Sequence, residues 1–301
     1  MKTILQIIVR LLRTNAFCTK RDIYYQNVGL FVTQRRVDDL IDDIASSFGV
    51  SRSDLNIVGS TKGSIVGPIT INLKNGTHID CSVNPMDIPD ASAINSIALQ
   101  FNPSVLVVEK DSVFVSLVEA GFLSRFPGCV LITGKGQPDV PTRHLLKRIE
   151  SQIYTELLFM NEFCQTQSKA SVAPRIYILC DSDAYGFAIF ATYKFGSRSL
   201  AHEDIACKSA MLLHFQAADF QNDAQLDAQC MMLTFRERKM ILANLNSPHL
   251  LCYKALLQKL LFYGKKCEIQ IIPIDYLMKW LVTIIVDPKS RLSQISDPLQ
   301  K

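Results

Sequence analysis

Three short apolar runs, each ending at a polar or acidic segment, constrain this chain more than any other feature. Val105-Leu106-Val107-Val108 ends at Glu109, and a helix-like stretch from Val113 to Ala120 follows, with Gly121 as its natural stop. Cys129-Val130-Leu131-Ile132 runs into Thr133-Gly134-Lys135-Gly136. Ile176-Tyr177-Ile178-Leu179-Cys180 runs into Asp181-Ser182-Asp183, and a helical pattern from Phe187 to Tyr193 comes next. Strands that alternate with helices imply a parallel sheet covered on both faces, whose sites form at the carboxyl ends of its strands.

That placement makes the acids informative. Glu109, Asp181 and Asp183 all sit where an apolar strand ends. Carboxylates converging on one sheet edge repel one another unless a hard divalent cation neutralises them. Mg²⁺ takes a few carboxylates together with waters and phosphate oxygens. Taken singly, each acid could instead cap a loop or a helix start. An acid after one buried strand and Asp-x-Asp after another favour the metal reading. Gly134-x-Gly136 lacks the third glycine and the following acid of a dinucleotide loop. His144, His202, His214 and His249 have no metal-ligand spacing among themselves.

The first part of the chain reads differently. Ile4, Ile7, Ile8, Leu11 and Leu12 fall on one helical face, which makes the opening segment a core helix. Arg10 and Arg13 interrupt the apolar run that a signal peptide needs, and no later stretch approaches the roughly 18 unbroken apolar residues of a membrane span. Thr19-Lys20-Arg21-Asp22 has capping-box form and opens a short helix carrying Ile23-Tyr24-Tyr25. From Thr33 to Phe48, Val37, Leu40, Ile41, Ile44, Ala45 and Phe48 recur at steps of three and four, an amphipathic helix. A second capping box, Ser51-Arg52-Ser53-Asp54, precedes β-like runs at 56–58, 65–66, 69–71 and 78–81, with Asn75-Gly76 as a hairpin turn. Helices followed by a small hairpin sheet predict a winged helix, a DNA-binding module of the helix-turn-helix class.

At 301 residues the chain fits two domains, and its net charge of +4 allows a polyanionic partner without requiring one. Nine cysteines stand as singletons without zinc-ligand spacing, the usage of reduced, buried thiols in an intracellular protein.

Adjacent tyrosines on a helix are ordinarily packing residues, and since they point about 100° apart only one could face a given site. As a nucleophile a tyrosine also needs help. A phenol of pKa near 10 is ionised about once in a thousand at pH 7, a deficit of roughly 4 kcal/mol. Arg21, one turn back from the pair, is placed to reduce that deficit and to brace a phosphate.

These residues together resemble a family. Lys20-Arg21-Asp22-Ile23-Tyr24-Tyr25, Leu30-Phe31, Gln34 and Val37-Asp38-Asp39 are similar to the A subunit of topoisomerase VI. The likeness is closer to its eukaryotic branch, the meiotic double-strand-break transesterases of the sporulation-specific protein eleven type. Further matches follow in order: Ser51-Arg52 with Leu55-Asn56; Lys62-Gly63; Val107-Val108-Glu109-Lys110-Asp111; Ile132-Thr133-Gly134-Lys135-Gly136 with Pro138-Asp139 and Thr142-Arg143; Asp181-Ser182-Asp183-x-Tyr185-Gly186; and Thr192 to Ser197. Leu233-Thr234, Arg236 and Gly264 to Gln270 complete a likeness running from about Phe17 to Gln270.

The resemblance implies a mixed α/β fold, with a winged-helix domain at about 1–90 and a metal-binding Toprim domain at about 100–301 that includes a C-terminal extension. It implies that Tyr25, the second of the pair, is the nucleophile and that Arg21 assists it. It places Mg²⁺ on Glu109, Asp181 and Asp183, and DNA against Lys62 and Lys135. The implied protein is a nuclear homodimer that cuts double-stranded DNA with meiotic accessory proteins and a B-like subunit, away from membranes. Two other readings go with the family: a topoisomerase component that relaxes DNA, and a DNA-binding paralogue without cutting activity. Departures are Ala184 where the family has proline, a longer linker between Ile149 and Pro174, no Trp-Leu-Gly element between Cys207 and Gln229, and a short or missing N-terminal helix for the B-like partner.

Overall fold

Four helices open the chain: α1 (Lys2–Thr14), α2 (Lys20–Gln26), α3 (Val28–Phe31) and α4 (Gln34–Phe48). The computed structural model describes residues 1–59, 61–100, 103–163, 175–197, 200, 203–220 and 223–285. Helix α1 buries Ile4, Ile7, Ile8 and Leu11, whereas Leu12, expected on the same face, is 46% exposed. Each four-residue step drifts by about 40° around a helix, so the row through Ile4 and Ile8 has turned outward at Leu12. Both expected capping boxes form: Asp22 N donates to Thr19 Oγ1 and Thr19 N donates back to Asp22 Oδ2, and Ser51 and Asp54 repeat the exchange. Lys20 and Arg52 both reach Asp42, at 2.7 and 2.6 Å, and tie α2 and the following turn to α4. Strands β1 (Cys18–Thr19) and β2 (Ile57–Val58) pair in parallel, and buried residues from Ile4 to Ile57 share a core of their own.

Five strands come next: β3 (Ser64–Val66), β4 (Ile69–Leu73), β5 (His78–Asp80), β6 (Met86–Asp87) and β7 (Ile94–Leu99). Of these, β4, β5 and β7 form an antiparallel sheet, with the expected tight connection at Asn75-Gly76, where Gly76 takes φ 85°. The second body continues through β8 (Ser104–Val108), α5 (Asp111–Glu119), α6 (Phe122–Arg125), β9 (Cys129–Thr133), α7 (Val140–Phe163), β10 (Arg175–Leu179), α8 (Ala184–Phe195) and β11 (Met211–Leu213). Its six-stranded sheet has the order β11-β10-β8-β9-β3-β6; the first four strands are parallel, and β3 and β6 extend it antiparallel.

The three apolar runs are therefore the centre of the sheet, and both faces are covered. Val105, Val107, Ile132, Ile176 and Ile178 share one core with Leu145 and Ile149 of α7 and Phe190 of α8. Leu106, Val108, Leu131, Tyr177 and Leu179 share another with Phe114 of α5 and Phe122 of α6. This alternation is the period-two geometry of a strand, with an apolar layer on each side.

Ile65, Ile69, Ile71 and Cys81, from the hairpin strands expected in the winged helix of residues 1–90, share the core of the central sheet. The cause is visible in β3, whose Ser64, Ile65 and Val66 are all buried and pair with Thr133, Ile132 and Leu131. Helix α7 runs to Phe163, so the first part of the expected linker after Ile149 is helix, with Ile149 and Ile153 buried. Gln165-Thr166-Gln167-Ser168, Cys164 and His202 lie outside the described residues.

The chain closes with α9 (Ala224–Gln229), β12 (Met231–Met232), α10 (Phe235–Leu245), α11 (Lys254–Tyr263), β13 (Lys265–Lys266) and α12 (Ile274–Ile285). β12 and β13 pair antiparallel, and just beyond β13 an isolated bridge joins Cys267 to Ser182. No disulfide forms among the described cysteines. No described helix is long and apolar enough to cross a membrane.

Candidate functional site

Strand order reverses between β8 and β10, because the chain goes from β8 to β9 on one side and then crosses to β10 and β11 on the other. Such a reversal opens a crevice at the carboxyl ends of the two strands. Glu109 leaves β8 there, and Asp181 and Asp183 leave β10; they are only 8%, 7% and 8% exposed. Asp181 N donates to Glu109 Oε2 at 2.9 Å, and Glu109 N donates to Leu179 O at 3.0 Å, so the two strand ends hold each other. Asp183 caps α8, its Oδ1 accepting from Tyr185 N at 2.9 Å and Gly186 N at 2.7 Å. Ala184, which stands in place of the family's proline, is the buried first residue of α8, and the Asp183 cap fixes the turn there. Gly186 packs against the Asp181 carbonyl so closely that a Cβ would collide with it.

Burial and charge act together on these acids. Burial, and then the neighbouring Asp181 charge, push Glu109 up to about 7 against the hydrogen bond from Asp181 N. Burial also raises Asp181, although Lys110 and Ile269 N both stabilise its charged form. Lys110 Nζ lies 2.8 Å from Asp181 Oδ2 and 2.9 Å from Glu268 Oε2. Burial opposes that ammonium's charge, but its bonds to the two acids prevail and hold its pKa above the ordinary lysine value.

The loops expected to face DNA border the same crevice. Gly136 N donates to Glu109 O at 2.8 Å, and Lys135 takes the left-handed conformation with φ 52°. Lys62 Nζ donates to Lys135 O at 3.2 Å while Lys62 N donates to Asp139 Oδ2 at 2.7 Å, so the two lysines are brought together. Lys135 Nζ lies 3.7 Å from Asp111. Tyr25 and Arg21 stand elsewhere. Both are exposed on α2, Tyr25 by 66%, with its ring centroid 5.4 Å from that of Tyr24. Among the described residues, no hydrogen bond or ring contact joins Tyr25 to Glu109, Asp181 or Asp183.

Among the described residues, no three His, Cys, Asp or Glu side chains form a ready-made metal cage. The carboxylates are partly engaged already: Asp181 Oδ1 accepts from Ile269 N at 2.8 Å, Asp181 Oδ2 meets Lys110, and Asp183 Oδ1 caps α8. Glu109 Oε1 and Asp183 Oδ2 accept no hydrogen bond within the described residues. Oxygen donors with a surplus of negative charge, in a crevice that resists ionising Glu109, fit a hard divalent cation.

Three further residues belong to the crevice. Lys110 and Glu268 appear in the sequence only as parts of longer motifs, and nothing in their spacing announces that they meet. His214, without ligand spacing in the sequence, follows β11 and lines a narrow cavity with Asp181, Ser182 and Asp183. Burial, with some help from Lys259, pushes it down to about 4, so it is neutral, and its Nδ1 has no hydrogen-bond partner among the described residues. Its place at the end of a fourth parallel strand is the only signal that could have found it.

A four-stranded parallel core with acids at its switch point, carried behind a helical unit, defines a mixed α/β protein with a Toprim-type domain. Residues 104–162 and 166–282 match the Toprim domain of Spo11 and the topoisomerase 6 A subunit, and residues 1–57 match type IIB DNA topoisomerase. The chain belongs to this family of Spo11 proteins and topoisomerase 6 A subunits. It is 33% identical over 202 residues to human meiotic recombination protein SPO11, a match covering 66% of this chain and 46% of that protein. The A3 subunit of DNA topoisomerase 6 from Oryza sativa subsp. indica is 35% identical over 207 residues, covering 66% and 41%. Meiotic recombination protein rec12 of Schizosaccharomyces pombe is 34% identical over 260 residues, covering 84% and 67%. The chain thus spans less than half the length of the human and rice relatives.

Proposed function

We propose that this chain is a nuclear, Mg²⁺-dependent DNA transesterase that opens meiotic double-strand breaks through a tyrosine-linked intermediate. The observation that supports the reading is the Glu109–Asp181 contact at the strand switch point of a family member, with Asp183 capping the adjoining helix and the Lys135 loop, which Lys62 reaches, bonded to Glu109. Residues 1–90 serve as the winged-helix DNA module, its helices at 1–58 and its hairpin strands packed on the metal-binding body that the rest of the chain forms. Tyr25 Oη gives up its proton and bonds a backbone phosphorus, the P–O3′ bond breaks, and the 3′ oxygen leaves as a hydroxyl. Arg21 braces the phosphate from one helical turn away, and Lys62 and Lys135 hold the flanking backbone. Glu109, Asp181 and Asp183 would hold Mg²⁺, whose chemistry there is to neutralise charge on the phosphate. The phosphotyrosyl ester conserves the bond energy, so cleavage needs no nucleotide.

The reading includes a homodimer on double-stranded DNA, meiotic accessory proteins and a topoisomerase VI B-like subunit. The name of the rice relative supports a second reading, relaxation of DNA as the A component of a topoisomerase. Immunoprecipitation from meiotic cells under denaturing conditions tests the first. DNA strands should remain bound by their 5′ ends, and in Tyr25→Phe cells they should not. A wild-type protein that retains no DNA in meiotic cells would overturn the transesterase reading.

A further inference from the structure

Lys110 is the one cation bonded directly to the acids of the crevice among the described residues, and it bridges two of them. Its Nζ contacts Asp181 Oδ2 at 2.8 Å and Glu268 Oε2 at 2.9 Å, and its side chain is 22% exposed. It follows Glu109 directly, so the backbone that positions one acid also delivers the ammonium to the next. Glu268 is anchored in turn by Gln270 Nε2 at 2.7 Å, and the neighbouring Ile269 N holds the other oxygen of Asp181 at 2.8 Å. The segment just after β13 thus grips Asp181 on one side and offers Lys110 a second carboxylate on the other.

We propose that Lys110 is an internal counter-cation that occupies Asp181 in the metal-free protein and withdraws onto Glu268 when a divalent cation enters. The inference rests on the metal reading of the crevice given above. A buried carboxylate must be paired, and Lys110 supplies the pairing when no metal is bound. A divalent ion beside Asp181 repels the ammonium, and an ammonium with a ready second partner leaves without being stranded. Glu268 is therefore the resting place that makes exchange possible, and Lys110 sets how much metal the site demands. Both are positioning residues for the metal site.

The experiment measures Mn²⁺ binding to the purified full chain without DNA, by electron paramagnetic resonance of free Mn²⁺. Lys110→Met should bind Mn²⁺ about tenfold more tightly, because the competing charge is gone. Glu268→Gln should bind it about fivefold more weakly, because Lys110 is confined to Asp181. In the double variant the Glu268→Gln effect should vanish, to within about twofold of Lys110→Met alone. Lys110→Arg, which keeps the charge, should stay within about threefold of wild type and stands in if the methionine variant does not fold. A Glu268→Gln effect that persists in the double variant, or weaker binding by Lys110→Met, overturns the proposal. A wild-type chain that binds no Mn²⁺ at millimolar concentration sinks the metal reading itself, and this inference with it.

Discussion

Asp181 and Glu109 leave neighbouring parallel strands, and the main-chain N–H of Asp181 donates to the Glu109 carboxylate at 2.9 Å. Each acid is thereby fixed by the other's strand. The crevice pays for this rigidity with two buried like charges, and Glu109 answers by holding its proton up to about pH 7.

That proton links the site to pH. Glu109 titrates near 7 in the fold against 4.5 ordinarily, so the metal-free fold keeps a proton that the unfolded chain has already lost. The stability from this difference is fully present below about pH 4.5 and is lost as pH rises through 7, at most about 3 kcal/mol. Urea midpoints of the chelator-treated protein should therefore fall between pH 5 and 8, while Glu109→Gln removes this part of the slope. Mg²⁺ binding should run the opposite way, weakening about tenfold per unit below pH 7 as protons compete for the carboxylate. Equal slopes in wild type and Glu109→Gln would count against the buried-acid account.

Asp183 separates structure from chemistry. Its Oδ1 caps α8 through Tyr185 N and Gly186 N, and asparagine caps a helix about as well as aspartate. Asp183→Asn should keep thermal stability within about 1 kcal/mol yet lose metal binding and cleavage, because the charge is gone. Asp183→Ala should lose both, the cap alone being worth about 1 kcal/mol. Undiminished cleavage by Asp183→Asn at physiological Mg²⁺ would remove Asp183 from the metal site.

Gly186 is a backbone requirement of the same turn. A side chain there would collide with the Asp181 carbonyl, which belongs to a strand end and cannot move aside cheaply. Gly186→Ala should destabilise the protein by about 2 kcal/mol or more. It should also weaken Mn²⁺ binding, because Asp181 must shift. A melting temperature unchanged from wild type would show that the helix start tolerates the methyl group.

The acids are legible in the sequence because each follows an unbroken apolar run, and the two buried faces of those runs leave no other place for a carboxylate than the strand end. The helical unit is legible through its capping boxes, which need only residues three positions apart. Lys110 and Glu268 are not, since they meet across 158 residues and neither has a local pattern. Strand β3 reads as part of a wing because three buried residues carry no periodicity that says which sheet they join. Leu12 shows the same limit on a smaller scale: a spacing rule places it on the apolar face, and the drift of the helix takes it off.

Tyr25 lies on α2 in the helical unit and the acids lie at the ends of β8 and β10, and no hydrogen bond or ring contact among the described residues joins them. The exposure of Tyr25, at 66%, leaves its hydroxyl available to another molecule, so Tyr25→Phe should abolish covalent attachment while changing stability by less than about 0.5 kcal/mol. Tyr24→Phe should be close to silent, because among the described residues the Tyr24 hydroxyl has only a long 3.5 Å bond to Val32 O. Reversed phenotypes would move the nucleophile to Tyr24. If the tyrosine of one copy serves the acids of another, two defective chains can repair each other. A Tyr25→Phe chain mixed with an Asp183→Asn chain can assemble one site with both tyrosine and metal, and one with neither. The mixture should nick one strand of duplex DNA, read as a covalent adduct on that strand alone, while each variant by itself does nothing. DNA can supply part of the association energy, so the dimer need not persist off DNA. If no mixture restores an adduct under conditions where wild-type dimers form and cut, each tyrosine must serve the acids of its own chain, and the chain must close on itself to do so.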